Sequence, residues 1–390
     1  MDENVNPNVI PGNFVMTTGS DKSQSDFTKR NNNVKSLGHR ELITEFFIRK
    51  DSDFKRLSEY RHRGWITNKE KADAHFDAQR KRADFADAKT QKIFFKMMVQ
   101  IAEEMHTASN IFCVQKQDEE DFRILDICMA PGKYNTPLLP SYCLNIPGGY
   151  TAAVLKFLPY AKCFGLTLPQ EMGGHDILVN KSKIEDLKLL DITLLINEYS
   201  GKPVPHNYPE KSDFSSQRPF HYHKFDLVFC DGMVLRRHSR PEWREDTEAT
   251  RLLLSQLILS MQRLRSGGTM VILLHKVENW ESILTIRAFS GFSNIQLFKP
   301  AKKHNTRSSF YMIAKNIDVH CEAAQKALLG WRDNWWEVTF GGEKGFGEKL
   351  NPDEDVVLKT LEEFGDELIQ MAKPIWKIQA DALSMTDYAG

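Results

Sequence analysis

The sequence predicts an α/β domain built on a mostly parallel sheet with an antiparallel edge hairpin, flanked by helical N- and C-terminal extensions. From about residue 119 to 317, short apolar runs typical of buried strands alternate with helical patterns such as EATRLLLSQLILSMQRL. Strands joined through helices run parallel, because parallel neighbours need a long crossover connection. The last two apolar runs, 294–299 and 309–315, are separated by a short loop, which favours an antiparallel pair.

Each predicted strand is a run of β-branched, aromatic or other apolar residues. The runs are 123–128, 161–168, 189–195, 225–231, 268–275, 294–299 and 309–315. Apolar residues at three- and four-residue spacing predict a helical lead-in over 39–118 and a helical extension over 318–390. Residues 1–38, rich in Asn, Ser, Asp and Gly, are predicted to form a disordered tail.

The composition excludes several classes of protein and site. Lys plus Arg and Asp plus Glu both number 52, so a nucleic-acid-binding surface would have to be local. The six cysteines show no CxxC or Cys/His spacing, so neither a disulfide framework nor a metal site is expected. No apolar run reaches the roughly 18 residues that span a bilayer, and no signal-peptide pattern is present. We therefore expect an intracellular protein of the cytoplasm or nucleus, without a membrane partner.

A glycine-rich turn follows the first predicted strand, but it is interrupted. The strand contains Asp126 and continues into Met-Ala-Pro-Gly, ending at Gly132. The residues 133–148 intervene, and Gly149 then begins the helical pattern GYTAAVL. Joining Gly132 to Gly149 gives LDICMAPGGYTAAVL, a strand, turn and helix start that would direct backbone N–H groups at an anion.

The joined motif closely resembles that of the FtsJ-like RNA 2′-O-methyltransferases, in which a strand, Asp, Ala-Pro-Gly-Gly and an aromatic residue precede a helix. This resemblance implies a Rossmann-like methyltransferase sheet, S-adenosyl-L-methionine as cofactor, and RNA as the partner that is methylated. The cofactor's methionine carboxylate would lie at the glycine turn. The cofactor-binding residues expected from the resemblance are Asp126, Ala130, Pro131, Gly132, Gly149, Tyr150, Thr167 and Asp191.

Two of these positions depart from the family pattern or have a second interpretation. The family usually holds the ribose hydroxyls with a carboxylate at the end of the second strand, where this chain has Thr167. A hydroxyl would bond more weakly in that role. Asp191, at the third predicted strand, resembles the acidic residue that accepts from the adenine amino group, but it could equally cap a helix or turn.

The intervening stretch 133–148 has two explanations. Gly-Lys-Tyr at its start can be encoded by GGT-AAG-TAT, which contains the splice-donor-like GTAAGT, so the stretch is a suspected retained intron. The alternative is a genuine loop, punctuated by Pro137, Pro140 and Pro147. In either case, an insertion between the two glycines would separate the halves of the cofactor turn, and would weaken cofactor binding.

FtsJ-like enzymes are known for a catalytic Lys-Asp-Lys-Glu set, and the first half of it has clear counterparts here. Lys96, in Phe-Lys-Met, resembles the lysine of the family's leading helix, although it could be an ordinary lysine on the solvent face. Asp231 ends the apolar strand FDLVFCD, at the sheet edge where parallel strands present ligands. We expect Lys96 and Asp231 to be catalytic.

The second half of the set is altered. Alignment on Gly267-Gly268-Thr269 places Leu273 at the second lysine position, and Lys276 follows three residues later as the remaining candidate. Ser309 stands where the family has glutamate.

These features favour an S-adenosylmethionine-dependent methyltransferase that acts on RNA. Basic runs at 236–240 and 299–307 follow strand ends and could contact an RNA backbone, or could simply be solvated. The alternative function is that of a catalytically degenerate relative that binds RNA or a protein, the latter through the C-terminal helices. A nicotinamide-dependent enzyme is disfavoured, because no GxGxxG follows the first strand.

Overall fold

Seven strands form one sheet within the part of the chain that the structure describes. The structure is a computed structural model, and it describes residues 38–84, 88–113, 121–129, 148–172, 184–234 and 240–390. The strands are β1 Arg123–Ile127, β2 Lys162–Thr167, β3 Asp186–Leu189, β4 Phe225–Cys230, β5 Leu264–His275, β6 Asn294–Phe298 and β7 Ser309–Ile317. Their order across the sheet is β3-β2-β1-β4-β5-β7-β6. Residues 1–37 of the predicted tail, 1–38, lie outside the described residues.

The direction of the strands confirms the predicted fold class. Strands β1 to β5 pair in parallel, and β7 runs antiparallel to both β5 and β6. Since β6 therefore points the same way as β5, the loop between β6 and β7 lies at the edge where the parallel strands end. The turns after β1 and β4 lie at this same edge, which we call the carboxyl edge.

The prediction of a third strand over residues 189–195 is wrong over most of that range. The strand β3 ends at Leu189, and residues 192–194 form a single turn of 3-10 helix instead. The three side chains of this turn are buried, and the Thr193 carbonyl accepts a hydrogen bond from buried Arg251 at 3.1 Å. Burial therefore explains the apolar run, because a short buried run has the same composition in a turn as in a strand.

Helices lie between the strands in sequence, and further helices precede β1 and follow β7. They are α1 His39–Lys50, α2 Ser52–His62, α3 Lys69–Asp84, α4 Ala88–Ser109, α5 Gly149–Phe157, α6 Ile196–Tyr199, α7 Glu248–Arg263, α8 Trp280–Ser290, α9 Glu322–Phe340 and α10 Glu354–Ser384. Within the described helices, none is long and apolar enough to cross a membrane.

The terminal helices share a hydrophobic core with the sheet. Trp376 of α10 is buried, and its ring lies 5.2 Å from the ring of Phe47 in α1 and 4.8 Å from that of Phe54 near the start of α2. Trp335 of α9 donates its indole N–H to Ser255 of α7 at 3.1 Å. Residues 38–390 accordingly form one compact unit.

Candidate active site

The turn after β1 begins with a left-handed residue. Cys128 has a φ of 65°, a region in which side chains other than glycine are disfavoured. The N–H of Met129 then donates to the Leu166 carbonyl at 2.8 Å, so the chain stays hydrogen-bonded to β2 just beyond the end of β1. The Met129 side chain covers Gly165, where an added Cβ would lie only 2.7 Å from the Met129 methyl group. The candidates Ala130, Pro131 and Gly132 lie outside the described residues.

Two carboxyl groups meet at the carboxyl edge. Asp126 of β1 is 1% exposed, and its Oδ2 accepts a hydrogen bond from the Thr151 hydroxyl at 2.9 Å. Asp231 follows β4, the strand that pairs with β1. One oxygen of each, Oδ1, is buried without a hydrogen-bond partner in the described part of the chain. Such orphaned acceptors are costly, and they indicate a place where a donor can bind.

The pKa values of both carboxyl groups are raised. Burial raises the pKa of Asp126 to about 7, and the hydrogen bond from Thr151 opposes the shift. Burial, and then the charge of Asp126, holds the pKa of Asp231 well above its usual range. Two neighbouring carboxylates disfavour each other's ionisation in a medium of low polarity. A cation placed beside them would reverse both effects.

The turns after β1 and β4 are in direct contact. A Cβ added at Gly232 would collide with the Cys128 sulfur, so only glycine fits there without displacement. Gln256 of α7 holds this glycine by accepting from its N–H at 2.8 Å and donating to its carbonyl at 3.3 Å. The pKa of the Cys128 thiol is raised by burial and then by several charges, among them Asp231, Asp126 and Asp191. The three predicted carboxyl groups therefore surround this turn.

Gly149 and Tyr150 form the start of α5, but their side-chain positions face the protein. A Cβ at Gly149 would collide with Met98, so this glycine allows α5 to pack closely against α4. The Tyr150 hydroxyl hydrogen-bonds the Tyr311 hydroxyl at 2.5 Å, and its ring stacks on Phe229 with 5.0 Å between centroids. What these two residues offer a ligand is therefore their backbone N–H groups.

Thr167 ends β2 and Asp191 comes two residues after the end of β3, so both residues lie at the carboxyl edge. Thr167 is the buried last residue of β2, and its carbonyl accepts from the Leu190 N–H at 2.9 Å. Asp191 caps the following turn, since its Oδ1 accepts from the Thr193 N–H at 2.8 Å and the Thr193 hydroxyl at 2.7 Å. Its Oδ2 lies 4.0 Å from the Arg244 guanidinium. The turn cap was one of its two sequence interpretations.

The two candidate lysines occupy different environments. Lys96 is an exposed residue of α4, two positions before Met98. Lys276 follows β5 with a φ of 57°, and its N–H donates to the Ser308 carbonyl at 2.9 Å. Burial lowers the pKa of Lys276, the charge of Glu278 raises it, and the charges of Arg61 and Arg40 lower it further.

The altered positions of the catalytic set lie on the neighbouring strands β5 and β7, two residues apart in register. Leu273 pairs with Tyr311, and Ser309 pairs with His275. Neither Leu273 nor Ser309 carries a charge, so the described strands place no lysine and no glutamate at the two positions that the family pattern assigns to them. Within the described residues, no group of His, Cys, Asp or Glu has the arrangement of a metal site.

The sequence matches the FtsJ-like methyltransferase family over residues 143–317. This segment belongs to that family. The matched part of the FtsJ-like domain begins after β1, so Asp126 lies outside it, although β1 pairs with β2 and β4 in the centre of the same sheet. The interruption of the glycine motif therefore coincides with the place where the family match begins.

Solved structures similar to the FtsJ-like domain include several methyltransferases. A ribosomal RNA methyltransferase from Plasmodium falciparum is 15% identical, with a TM-score of 0.34, and the match covers 56% of this chain and 96% of that one. An rRNA methylase from Streptococcus thermophilus is 12% identical, with a TM-score of 0.28, covering 55% and 96%. TrmN from Thermus thermophilus is 11% identical, with a TM-score of 0.30, covering 55% and 47%. A comparison with curated proteins gives no match.

Substitution of Gly232 by alanine tests the contact between the two turns. We expect Gly232→Ala to reduce S-adenosylmethionine binding at least tenfold, because the added methyl group must push Cys128 or Gln256 aside. Calorimetric titration measures the affinity. Gly330→Ala is the matched control, because its Cβ would meet nothing within 4 Å in α9. Helix propensity predicts that this control gains about 0.5–1 kcal/mol of stability. Unchanged binding by Gly232→Ala would show that the turns tolerate separation.

The raised pKa of Asp126 predicts a pH dependence of stability. The folded protein retains a proton on Asp126 up to about pH 7, whereas the unfolded chain loses it near its ordinary value of 3.8. Stability from this group is therefore present at low pH and is lost as the pH rises through 7. Between pH 5 and pH 8, we expect wild-type protein to lose on the order of 2 kcal/mol more than Asp126→Asn. Urea unfolding at both pH values provides the measurement, and equal losses would contradict the assignment.

Proposed function

We propose that this protein is an S-adenosyl-L-methionine-dependent methyltransferase whose acceptor is an RNA ribose 2′-hydroxyl. The observation that carries the proposal is the pair Asp126 and Asp231, each with a buried Oδ1 that lacks a partner. The cofactor bears a sulfonium and an α-ammonium group, and both are positive. Two desolvated carboxyl groups with free acceptor atoms therefore fit its cationic end, and binding would relieve their mutual repulsion.

The other predicted residues fit the remaining parts of the cofactor. The first N–H groups of α5, at Gly149 and Tyr150, would donate hydrogen bonds to the methionine carboxylate at the positive end of the helix. Thr167 would bond a ribose hydroxyl, and the Oδ2 of Asp191 would accept from the adenine amino group. The proposal retains Ala130, Pro131 and Gly132 as sequence candidates for the same turn.

The cofactor would supply an electrophilic methyl group, whose bond to sulfur would break as its bond to the acceptor oxygen forms. The acceptor hydroxyl would lose its proton to a base of this chain. Asp231 would take this proton, because a neighbouring positive charge favours its carboxylate form and its Oδ1 has no other hydrogen-bond partner in the described part of the chain. Lys276, whose pKa is lowered, is the second candidate near the end of β5. Lys96, exposed on α4, would contact the RNA rather than the reacting atoms.

A second candidate function is a catalytically degenerate protein that binds RNA through the same fold. The presence of Leu273 and Ser309 at two catalytic positions favours it, since neither can polarise a hydroxyl as lysine and glutamate would. A protein partner of the C-terminal helices stays a prediction. The face of α10 around Trp376 is not free for such a partner, because it packs on α1 and α2 of this chain.

Transfer of labelled methyl groups to RNA distinguishes the two functions. We expect wild-type protein to label RNA and Asp231→Asn to do so at least about 100-fold more slowly, as loss of a general base does. Asp333→Asn provides the control, since Asp333 is an exposed carboxylate on α9. Absence of labelling by wild-type protein that still binds RNA would favour the degenerate function. Equal labelling by Asp231→Asn would remove this residue from the mechanism.

Deletion of residues 133–148 tests the interruption of the glycine motif. The shortened chain joins Gly132 to Gly149 and should bind S-adenosylmethionine at least tenfold more tightly than the full chain, because the two halves of the turn become contiguous. Calorimetric titration of both chains measures the difference. Equal affinity would show that the stretch is a loop which the site accommodates, and sequencing of the transcript would decide the intron hypothesis directly.

A further inference from the structure

Lys299 has a different place in the structure from the other basic residues of its run. It is 3% exposed, directly after β6, whereas Lys302, Lys303 and Arg307 are exposed. Its ammonium group donates to three main-chain carbonyls, those of His304 at 3.3 Å, Arg307 at 2.6 Å and Ser309 at 2.9 Å. Three N–H donors thus meet three acceptors, which satisfies a buried cation without a carboxylate.

This arrangement holds the loop between β6 and β7 from inside. The three acceptor carbonyls belong to residues 304–309, the second half of the loop. The ammonium group therefore holds the backbone of that half in place. His304 is held at a φ of 54°, and its carbonyl also accepts from the Arg307 N–H at 3.1 Å. The loop therefore has a definite shape, which depends on the hydrogen bonds of one buried lysine.

Neighbouring elements anchor the loop from outside. Gln379 of α10 donates to the Thr306 carbonyl and to the Ser308 hydroxyl, both at 3.2 Å. At the start of the loop, Glu104 of α4 accepts from the Ala301 N–H at 2.7 Å. The loop is consequently fixed to helices on both sides of the sheet edge.

The exposed residues of this loop carry positive charge at the carboxyl edge. Lys302 and Lys303 form no ion pair in the described part of the chain, and Glu104 is the acidic group at the base of the loop. Their location matters, because β6 ends at the same edge as β1 and β4, where Asp126 and Asp231 lie. A polyanion that reaches this edge would meet cations carried on a backbone that is already ordered, so the loop itself would lose little entropy on binding.

We propose that the β6–β7 loop is the surface that contacts the phosphate backbone of RNA, with Lys302, Lys303 and Arg307 on the phosphates and Lys299 as the positioning residue that shapes it. The proposal rests on the proposed function, since it assigns the RNA to a particular side of the same site. Phosphate contacts orient a nucleic acid without reading its sequence. The loop would therefore set where the RNA lies, and other groups would select the nucleotide.

Binding of a labelled oligoribonucleotide to the full chain, followed by fluorescence anisotropy over a range of salt concentrations, tests the surface. We expect Lys302→Gln with Lys303→Gln to weaken binding and to reduce the slope of log affinity against log salt by about 1.4, the value for two phosphate contacts on a single strand. Lys326→Gln with Lys344→Gln removes the same charge from exposed sites elsewhere and should change neither quantity. Equal slopes for the loop variant and the control would overturn the proposal.

Lys299→Met tests the positioning role separately. It removes the ammonium group but no exposed charge, so we expect weaker RNA binding together with faster hydrogen exchange at residues 300–308, and unchanged S-adenosylmethionine binding. Wild-type RNA affinity in this variant would overturn the role of Lys299. If the variant fails to fold, the paired loop variant still decides whether the surface binds RNA.

The outcomes separate this proposal from the proposed function. RNA binding through the loop without methyl transfer would leave the surface intact and contradict the methyltransferase activity. Methyl transfer at the wild-type rate by the loop variant, with wild-type RNA affinity, would support the methyltransferase activity and contradict the loop as the RNA-binding surface. Wild-type protein that binds S-adenosylmethionine but no RNA would overturn both the loop surface and the RNA acceptor.

Discussion

The contact between the turn after β1 and the turn after β4 determines the geometry of the candidate site. Gly232 lies against the Cys128 sulfur, and Gln256 holds it there from α7. Because the two turns approach so closely, the buried Asp126 and the half-buried Asp231 lie near enough for the charge of one to act on the other. Burial raises both pKa values, and the charge of Asp126 raises that of Asp231 further. The two carboxyl groups therefore carry an electrostatic cost, which a neighbouring cation would remove.

The sheet could be predicted from the sequence because its central strands are buried on both faces and are almost wholly apolar. Carboxyl groups are conspicuous within such runs, which is why Asp126 and Asp231 could be identified. The failure at residues 189–195 has a tertiary cause, since those side chains are buried in a turn that Arg251 of α7 contacts. Composition alone does not reveal whether burial comes from a sheet neighbour or from a helix.

Other parts of the site depend on residues far apart in the chain and could not be predicted. Tyr150 belongs to the glycine motif, yet its side chain pairs with Tyr311 in β7. Gly149 has a packing reason for being glycine, because it touches Met98 of α4. Lys299 was grouped with the RNA-contacting residues from its neighbours in sequence, whereas its burial gives it an internal role. In each case the residue type was informative, but its partner was not visible in the sequence.

Part of the surroundings of Lys276 comes from outside the segment that matches the family. Arg61 of α2 forms an ion pair with Glu278, two residues after Lys276, and its other nitrogen donates to Gln379 of α10 at 2.8 Å. Gln379 in turn holds the β6–β7 loop. The helical extensions therefore supply contacts around Lys276 and the β6–β7 loop, whereas Asp231 and the turn after β4 lie within the matched segment. Since a lysine's basicity follows from its neighbours, membership of the family does not by itself determine what Lys276 does in this protein.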